Sequence, residues 1–346
     1  MMSFTVFMER CFVCILSIHI CFLIVMFTAL GYHKAGHEVC VSANICGPLM
    51  GIINTNVVKE HRHKRLQRID DPLLDVVLEN TQLCRGVSEV DVVFIVHSSA
   101  DHYHRRQILR TIFQKEKTYQ NYTLRHVFLL GQRNDVKIQG HINQEFRQNG
   151  DIVQGGFQDT YGNLTYKAVL GIKWISHNCR NVKYVIKIDD DVYTDLYNFF
   201  THVYHSHKDD TRILCWASNV PYVVIRRTGK WKVPKFVFRH YQSFPVDYCS
   251  GFGVIIPGKI IPALYKVVLM VPFLWIDDIF LYGMARSFIT GLQDLGDTHY
   301  KVGEEEVSRC FKKQSTCELI FSLIYPNRIL PTWRHRQRYL QNIKKL

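Results

Sequence analysis

The sequence is short of glycine, proline and acidic residues, and it contains no internal repeat. With 20 Gly and 10 Pro in 346 residues, the chain is neither collagen-like nor of low complexity. No segment recurs at a period of about 20 to 50 residues, which excludes solenoids and propellers. Only 30 Asp and Glu stand against 43 Lys and Arg, a net charge of +13. We therefore expect an anionic partner such as a nucleic acid, a membrane surface or a phosphorylated ligand.

Cysteine pairs at zinc-finger spacing are also missing. Cys310 and Cys317 stand seven residues apart, which fits a disulfide or two unpaired thiols better than a zinc site. No RNA-binding signature accompanies the basic composition, and a nucleic-acid binder is therefore the weaker interpretation. The basic stretch at residues 334–345 is predicted to form an exposed charged helix.

One long apolar run lies near the N-terminus. Residues 11–30 contain no Asp, Glu, Lys or Arg, and their length is about that needed to cross a bilayer as a helix. Ten residues precede the run and no small-residue cleavage pattern follows it, which favours an uncleaved anchor over a removed signal peptide. We therefore predict a transmembrane signal anchor at residues 11–30, with residues 1–10 as a cytosolic tail.

Glycosylation sequons and cysteine usage predict on which side of the membrane the remainder lies. Sequons begin at Asn121 and Asn163. Three of the 11 cysteines lie within the anchor, which leaves eight, an even number that suits disulfides. Both features favour a lumenal body. Residues 31–86 show no sustained periodicity and are predicted to form a stem, and residues 87–346 the lumenal domain. Chance sequons and buried thiols are the alternative, and eight cysteines can pair in roughly a hundred ways.

From residue 87 onward, short apolar runs alternate with stretches of helical spacing. Four apolar runs predict strands, at residues 91–97, 125–131, 151–157 and 183–188. Helical spacing occupies residues 101–117 and 160–177. Because strands and helices alternate, we predict an α/β fold with a largely parallel sheet. The fourth strand leads into Asp189, Asp190 and Asp191, at the strand end where such sheets bind ligands.

The aspartate triplet is the first candidate for chemistry. Three adjacent carboxylates repel one another unless a cation or solvent compensates them. Carboxylate oxygens are the ligands that Mg²⁺ and Mn²⁺ prefer, and two alternating aspartates can meet a metal that also holds a diphosphate. A solvated turn between strand and loop is the alternative, and the triplet alone does not distinguish the two.

Five blocks of sequence lie in the order and near the spacing of one known family's motifs. They are HRRQILRT from residue 104, GDIVQ from 150 together with NLTYK from 163, KYVIKIDDDVY from 183, FPVDYCSGFG from 244 and DDIF from 277. In these blocks the chain resembles the β-1,3-galactosyltransferases and their N-acetylglucosaminyl relatives, over residues 90 to about 285.

The resemblance implies a nucleotide-sugar-binding, Rossmann-like glycosyltransferase fold of the GT-A type. It implies an inverting hexosyltransferase that moves galactose from UDP-galactose to an acceptor sugar in β-1,3 linkage. Asp278 would be the general base, and Asp189 and Asp191 would hold Mn²⁺ or Mg²⁺ on the diphosphate. By its order in the chain, His299 is the candidate for a further metal ligand. The acceptor would be a glycan on a glycoprotein or glycolipid, and the location a Golgi membrane in type II orientation.

The resemblance also implies contacts with the donor. The candidate residues are Arg105, Arg106, Arg110, Lys167, Asp189 and Asp190. Guanidinium groups suit phosphates, although three arginines on one helix are also typical of a solvated face, and a surface lysine is the equal alternative for Lys167. The segment at residues 251–253, Gly-Phe-Gly, would let backbone approach a ligand closely or would form a plain turn.

Three departures from the family pattern alter its details. Ile112 and Phe113 replace an expected Trp, Asp277 stands for the usual Glu, and Gly283 comes one residue late. No required chemical group is lost. Transfer of N-acetylglucosamine or N-acetylgalactosamine is the alternative within the family, and a catalytically silent lumenal binding or chaperone relative is the alternative from another class.

Overall fold

The computed structural model describes residues 68–69, 74–115, 118–119, 121–218, 223–313 and 316–343. The predicted cytosolic tail, the predicted anchor and most of the predicted stem lie outside these residues. Within the described part of the chain, no helix is long and apolar enough to cross a membrane.

Strands and helices alternate along most of the described chain. The strands are β1 Val76–Leu78, β2 Val90–His97, β3 Thr118–Tyr119, β4 Tyr122–Gln132, β5 Ile152–Gln158, β6 Val182–Asp189, β7 Val192–Thr194, β8 Ile213–Ser218, β9 Tyr248–Pro257, β10 Leu292–Asp294, β11 Tyr300–Val302 and β12 Phe321–Leu323. The α-helices are α1 Tyr103–Lys115, α2 Val136–Asn149, α3 Leu164–Asn178, α4 Leu196–Asn198, α5 Ile261–Val268, α6 Asp277–Ile279, α7 Gly296–His299, α8 Glu304–Lys312 and α9 Pro326–Ile343. Short 3₁₀ or π-helical segments are Tyr161–Asn163, Phe199–Tyr204, Gly258–Ile260, Phe280–Ala285 and Arg286–Phe288.

A mixed nine-stranded sheet forms the centre of the fold. Its order is β1-β5-β4-β2-β6-β9-β8-β10, with β3 paired to β4. Strands β5, β4, β2 and β6 run parallel, and β9 runs antiparallel to β6. The run VVFIV in β2 is buried on both faces of the sheet, as expected for a central parallel strand covered by helices. A second sheet, β11-β12-β7, contains the strand that follows the aspartate triplet.

The predicted α/β fold with a parallel centre is confirmed, but helix α2 was missed. Its sequence is mostly polar, and the apolar side chains that pack against the hydrophobic core are Ile138, Ile142 and Phe146. The two ends of α2 are marked more clearly in the sequence, by capping residues. The Asp135 side chain accepts hydrogen bonds from backbone N–H groups of the first turn, and Gly150 ends the helix with a φ of 64°.

The sheet domain begins before the predicted boundary at residue 87. Leu74 is buried, and β1 pairs antiparallel with β5. Cys84 forms a disulfide with Cys179, at the end of α3. Part of the segment predicted as a stem therefore belongs to the fold, because it supplies an edge strand and a covalent link.

Two further disulfides join nearby segments of the described chain. Cys215 in β8 is bonded to Cys249 in β9, and Cys310 in α8 is bonded to Cys317. The second pair agrees with the disulfide interpretation of its seven-residue spacing.

The C-terminal helix α9 is longer than predicted and is partly buried. It packs against α1. Arg336 lies in the interior, where its Nε donates to Asp195 at 2.7 Å. The prediction of an exposed charged helix was therefore wrong for this face, because a buried carboxylate neutralises the arginine.

Candidate active site

The carboxyl ends of β2 and β6 bring the candidate catalytic residues together. The two strands are parallel neighbours, and His97 at the end of β2 is level with Asp189 at the end of β6. On the other side of β6, Gly253 of β9 lies opposite Ile188. Because β9 runs antiparallel, residue 251 reaches the same edge of the sheet as the aspartates.

Asp190 points into the protein and anchors the loop that follows β2. Its carboxylate lies 2.7 Å from Ser98 Oγ, 2.8 Å from His102 Nδ1 and 2.9 Å from Arg105 Nη1. Burial by itself would raise the pKa of Asp190, but hydrogen bonds from His102, Ser98 and Arg105 outweigh it and leave the pKa lowered. Asp190 is therefore held ionised by protein groups, and its predicted contact with the donor would need one of these to give way.

Asp189 and Asp191 turn toward solvent. Their side chains are 41% and 35% exposed. Burial and the negative charges of Asp189 and Asp190 raise the pKa of Asp191 to about 6, and Arg105 at 3.6 Å offsets only part of this. The carboxylate of Asp191 thus lacks sufficient positive charge, which favours binding of a cation beside it.

Lys187, which is not among the predicted site residues, joins the triplet to β9. Its buried Nζ lies 2.9 Å from Asp189 Oδ1 and donates to the carbonyl oxygen of Gly251. Burial disfavours the charged form, yet the surrounding carboxylates of Asp189, Asp277 and Asp278 raise the pKa of Lys187. A lysine within the apolar run YVIKI was the available signal, because a buried ammonium requires a nearby partner.

Asp278 lies at the start of α6 and is fixed by the backbone of β9. Its Oδ2 accepts a hydrogen bond of 3.0 Å from the backbone N–H of Gly251. Burial, followed by the charge of Asp277, raises the pKa of Asp278 to about 8. A carboxyl group with such a pKa can take up a proton near neutral pH.

Gly251 is required by this contact and does not form a turn. The residue is part of strand β9, and a Cβ atom on it would lie 1.9 Å from Oδ1 of Asp278. A Cβ on Gly253 would lie 2.5 Å from the ring of Phe321. The Gly-Phe-Gly segment therefore makes room for protein side chains, which was neither of the two sequence-based interpretations.

Asp277 and His97 are buried residues next to the candidate site. His97 Nδ1 lies 3.8 Å from Asp277 Oδ2. Burial, together with the charges of Lys187 and Lys167, lowers the pKa of His97 well below its usual value, and burial raises the pKa of Asp277. His97 is therefore neutral at physiological pH, and the positive charge that faces Asp277 comes from Lys187.

Arg106 and Arg110, predicted to contact the donor, lie in the buried framework instead. Arg106 donates to both oxygens of Glu145 at 2.9 and 2.7 Å. Arg110 donates to both oxygens of Asp151 at 2.7 Å. Both guanidinium groups are almost fully buried. The solvated-face alternative is wrong for this pair as well, since Glu145 of α2 and Asp151, the residue before β5, accept their hydrogen bonds.

Lys167 is buried in the same framework and holds the loop after β2. Its Nζ lies 2.7 Å from Asp159 Oδ1 and also donates to the carbonyl oxygen of Ser98. Asp159 Oδ2 accepts from the backbone N–H of Ala100 at 3.1 Å. Of the four basic residues predicted to contact the donor, Arg105 is the one that the structure brings to the aspartates.

His299 lies far from the triplet along the second sheet. Ile320 N donates to His299 O, and Asp195 N donates to Ile320 O. His299, Ile320 and Asp195 therefore lie side by side, at the same position along the strand direction of this sheet. Asp191 lies at the other end of β7, where its carbonyl accepts from Ile324 N. Asp191 and Asp195 are four residues apart, which corresponds to about 13 Å along a strand. The order of His299 in the chain suggested that it could reach the aspartates. The register of the second sheet shows that it does not.

The described residues contain no group of three His, Cys, Asp or Glu side chains that could hold a metal ion by themselves. Two exposed carboxylates at one edge are nevertheless the usual protein share of a site completed by phosphate oxygens and water, as Mg²⁺ commonly has with nucleotide substrates.

Comparison with known proteins agrees with this geometry. Residues 104–290 match the family model described as galactosyltransferase. β-1,3-Galactosyltransferase 5 of Gorilla gorilla gorilla is 30% identical over 246 residues, which cover 70% of this chain and 80% of that protein. UDP-GalNAc:β-1,3-N-acetylgalactosaminyltransferase 1 of Mus musculus is 28% identical over 203 residues, which cover 55% and 58%.

One similar solved structure is a glycosyltransferase involved in the glycosylation of the major capsid of PBCV-1. It is 8% identical, with a TM-score of 0.35, and the match covers 67% of this chain and 92% of that one. A likeness at this level carries no weight for function.

Proposed function

Because the chain belongs to the β-1,3-galactosyltransferase family, we propose that it transfers galactose from UDP-galactose to a 3-hydroxyl of an acceptor sugar, with inversion at the anomeric carbon. The proposal includes a GT-A type of nucleotide-sugar fold. The observation that carries it is Asp278, a carboxylate of raised pKa held by Gly251 N at the strand edge that also presents Asp189 and Asp191.

Asp278 acts as the general base. Its carboxylate accepts the proton of the acceptor hydroxyl while the acceptor oxygen forms a bond to the anomeric carbon. The bond from that carbon to the diphosphate oxygen breaks on the opposite face, so the configuration inverts. Gly251 N fixes one carboxylate oxygen, which leaves the other free to meet the hydroxyl.

Asp189 and Asp191 are the residues that would hold Mn²⁺ or Mg²⁺ together with the diphosphate of the donor. Their exposed carboxylates and the raised pKa of Asp191 fit a site that needs positive charge. Such an ion, when bound, neutralises the charge that develops on the departing UDP. Arg105 lies beside these aspartates and is placed to contact the same diphosphate. His299 is left out of this ligand set.

Transfer of N-acetylgalactosamine is the second candidate, since a transferase named for UDP-GalNAc is also among the relatives. One hydroxyl or acetamido group separates the two donors, and the family motifs are common to both.

A lumenal Golgi location with an anchor at residues 11–30 remains part of the proposal. The three disulfides of the described residues support an oxidising compartment. The sequon residue Asn121 is exposed, which suits glycosylation there.

Release of UDP by the full-length protein tests the proposal. We expect Mn²⁺-dependent release that an acceptor sugar stimulates, faster with UDP-galactose than with UDP-N-acetylgalactosamine. The Asp278→Asn variant should bind UDP as the parent does but should not transfer sugar. UDP binding without turnover of either donor, across a broad panel of acceptors, would favour the catalytically silent relative.

A further inference from the structure

Residues 223–247, here called the basic loop, lead into β9 and are strongly cationic. Before its first acidic residue, Asp247, the loop contains six Lys and Arg. They are Arg226, Arg227, Lys230, Lys232, Lys235 and Arg239. A positive charge of this density in one loop favours an anionic ligand.

Arg227 organises the basic loop. Its guanidinium donates to the carbonyl oxygens of Pro234 and Val237 at 2.8 Å and of Phe238 at 3.0 Å. Phe238 is buried and has a positive φ of 52°. The loop is therefore folded around one of its own cations, which leaves the neighbouring cations for other contacts.

Three aromatic side chains are here called the aromatic platform: Trp231 of the basic loop, and Tyr161 and Trp275, which contact that loop. Trp231 Nε1 donates to Tyr161 Oη at 2.8 Å, and the rings of Tyr161 and Trp275 lie 6.1 Å apart. Tyr161 is 46% exposed and Trp231 is 43% exposed. Exposed aromatic rings with satisfied polar groups are typical of binding surfaces.

Two cations of the basic loop lie over these rings. Lys230 Nζ is 4.4 Å from the ring centre of Tyr161, and the Arg226 guanidinium is 5.2 Å from that of Trp231. Neither forms an ion pair with any residue that the structure describes. A cation on a ring face keeps its solvent side available for an anion.

The aromatic platform is connected to the proposed base through a short stretch of chain. Trp275 precedes Asp278 by three residues, and its Nε1 donates to the carbonyl oxygen of Lys232 in the basic loop. The basic loop ends at β9, whose Gly251 holds Asp278. A sugar whose hydroxyl meets Asp278 is thus within reach of the platform.

We propose that the aromatic platform and the basic loop form an acceptor subsite for a glycan that carries a carboxylate or sulfate group. The sugar ring packs against the parts of Tyr161 and Trp231 that remain exposed, and the anion pairs with Lys230 and Arg226, which lie over these rings. This inference rests on the proposed transferase function.

Matched acceptor pairs test the charge part of the subsite with the full-length protein. The pairs are benzyl N-acetylglucosaminide with its 6-O-sulfate, and lactose with 6′-sialyllactose. We expect the anionic member of at least one pair to have the higher kcat/KM, by about threefold to fivefold for each ion pair formed. The pair that shows the preference identifies sulfate or carboxylate as the anion.

Lys230→Gln and Arg226→Gln should each lower this anionic-to-neutral ratio, and raising the salt concentration should lower it in the parent protein. Lys312→Gln, at an exposed position in α8, is the control that should leave the ratio unchanged. A ratio near one in the parent protein, or a ratio that neither variant changes, would overturn the charge part of the proposal.

Trp231→Ala tests the platform. It should raise the acceptor KM about tenfold for both members of a pair, with the KM for UDP-galactose unchanged within about twofold. Trp231→Phe, which keeps a ring, should restore most of the acceptor affinity. An unchanged acceptor KM in Trp231→Ala would contradict the platform.

Direct binding separates this inference from the transferase proposal. Asp278→Asn protein, which should not turn over, is titrated with the same glycan pairs by calorimetry. Tighter binding of the anionic glycan, lost in Asp278→Asn combined with Lys230→Gln, would support the subsite even if no donor is transferred. Equal binding of both glycans, or Lys230-dependent binding of anionic vesicles alone, would overturn it.

Discussion

Replacing Gly251 by alanine tests how closely the proposed base is positioned. A Cβ atom at this position would lie 1.9 Å from Oδ1, 2.7 Å from Cγ and 3.0 Å from Oδ2 of Asp278, whereas ordinary contact begins at 3.4 Å. The carboxylate must therefore withdraw by about 1.5 Å, or β9 must shift by a similar amount. Either movement disrupts the hydrogen bond from Gly251 N to Asp278.

The magnitude follows from the cost of misplacing a reacting group. A displacement of about 1 Å can reduce a rate by roughly 100-fold. We expect Gly251→Ala to lower kcat by about that factor while the KM for UDP-galactose changes little. The overlap should also lower the free energy of unfolding by about 1–3 kcal/mol. Initial rates of UDP release and a thermal unfolding curve measure both effects.

Gly140→Ala is the matched control. Gly140 lies in the exposed face of α2, and an added Cβ there would meet no atom within 4 Å. Alanine should stabilise that helix by about 0.5–1 kcal/mol and leave kcat unchanged. A folded Gly251→Ala variant with the kcat of the parent would refute the placement of the base at Asp278.

Three further predictions concern charge. Because the base must be ionised and the pKa of Asp278 is raised to about 8, kcat/KM should rise with pH through about 8; a profile that is flat from pH 6 to 9 would contradict this. The pKa of Asp191 is raised to about 6, so without metal its contribution to stability falls as pH rises from about 4 to 6. Mn²⁺, which needs the ionised form, should accordingly raise Tm more at pH 7 than at pH 5, and Asp191→Asn should abolish this difference. Arg110→Met should cost about 3–5 kcal/mol of stability, because the buried carboxylate of Asp151 loses both guanidinium hydrogen bonds and is left with His126. Arg105→Met should change stability by under about 1 kcal/mol and raise the KM for the donor about tenfold. The reverse pattern would show that their roles are exchanged.

Hydrophobic periodicity predicts the central strands of the sheet but not its edge strand β1. The runs at β2, β4, β5 and β6 are apolar because parallel central strands are buried on both faces, and this leaves a clear pattern in the sequence. Strand β1 has three residues and pairs at an edge. Such a short segment has no periodicity of its own, so the sequence does not reveal that residues before 87 pair with the sheet.

Residue roles depended on contacts between segments that are distant in sequence. The arginines of α1 were assigned to the donor because guanidinium groups suit phosphates. Arg106 instead binds Glu145, 39 residues away, and Arg110 binds Asp151, 41 residues away. Nothing local in the helix distinguishes these two from Arg105, which faces the aspartates.

His299 shows the same limit. Order along the chain suggested that it could reach the metal, but the register of β11, β12 and β7 places it level with Asp195 and not with Asp191. Lys187 is the opposite case, because a single charge within a buried strand could have been found from the sequence.

The anomeric configuration of the product tests the central claim most directly. The full-length protein is incubated with UDP-galactose, Mn²⁺ and benzyl N-acetylglucosaminide, and the isolated disaccharide is examined by NMR. Inverting transfer with Asp278 as the base predicts a β-linked galactose on the 3-hydroxyl, and no disaccharide from the Asp278→Asn variant. An α-linked product, or an equal yield from that variant, would contradict the account.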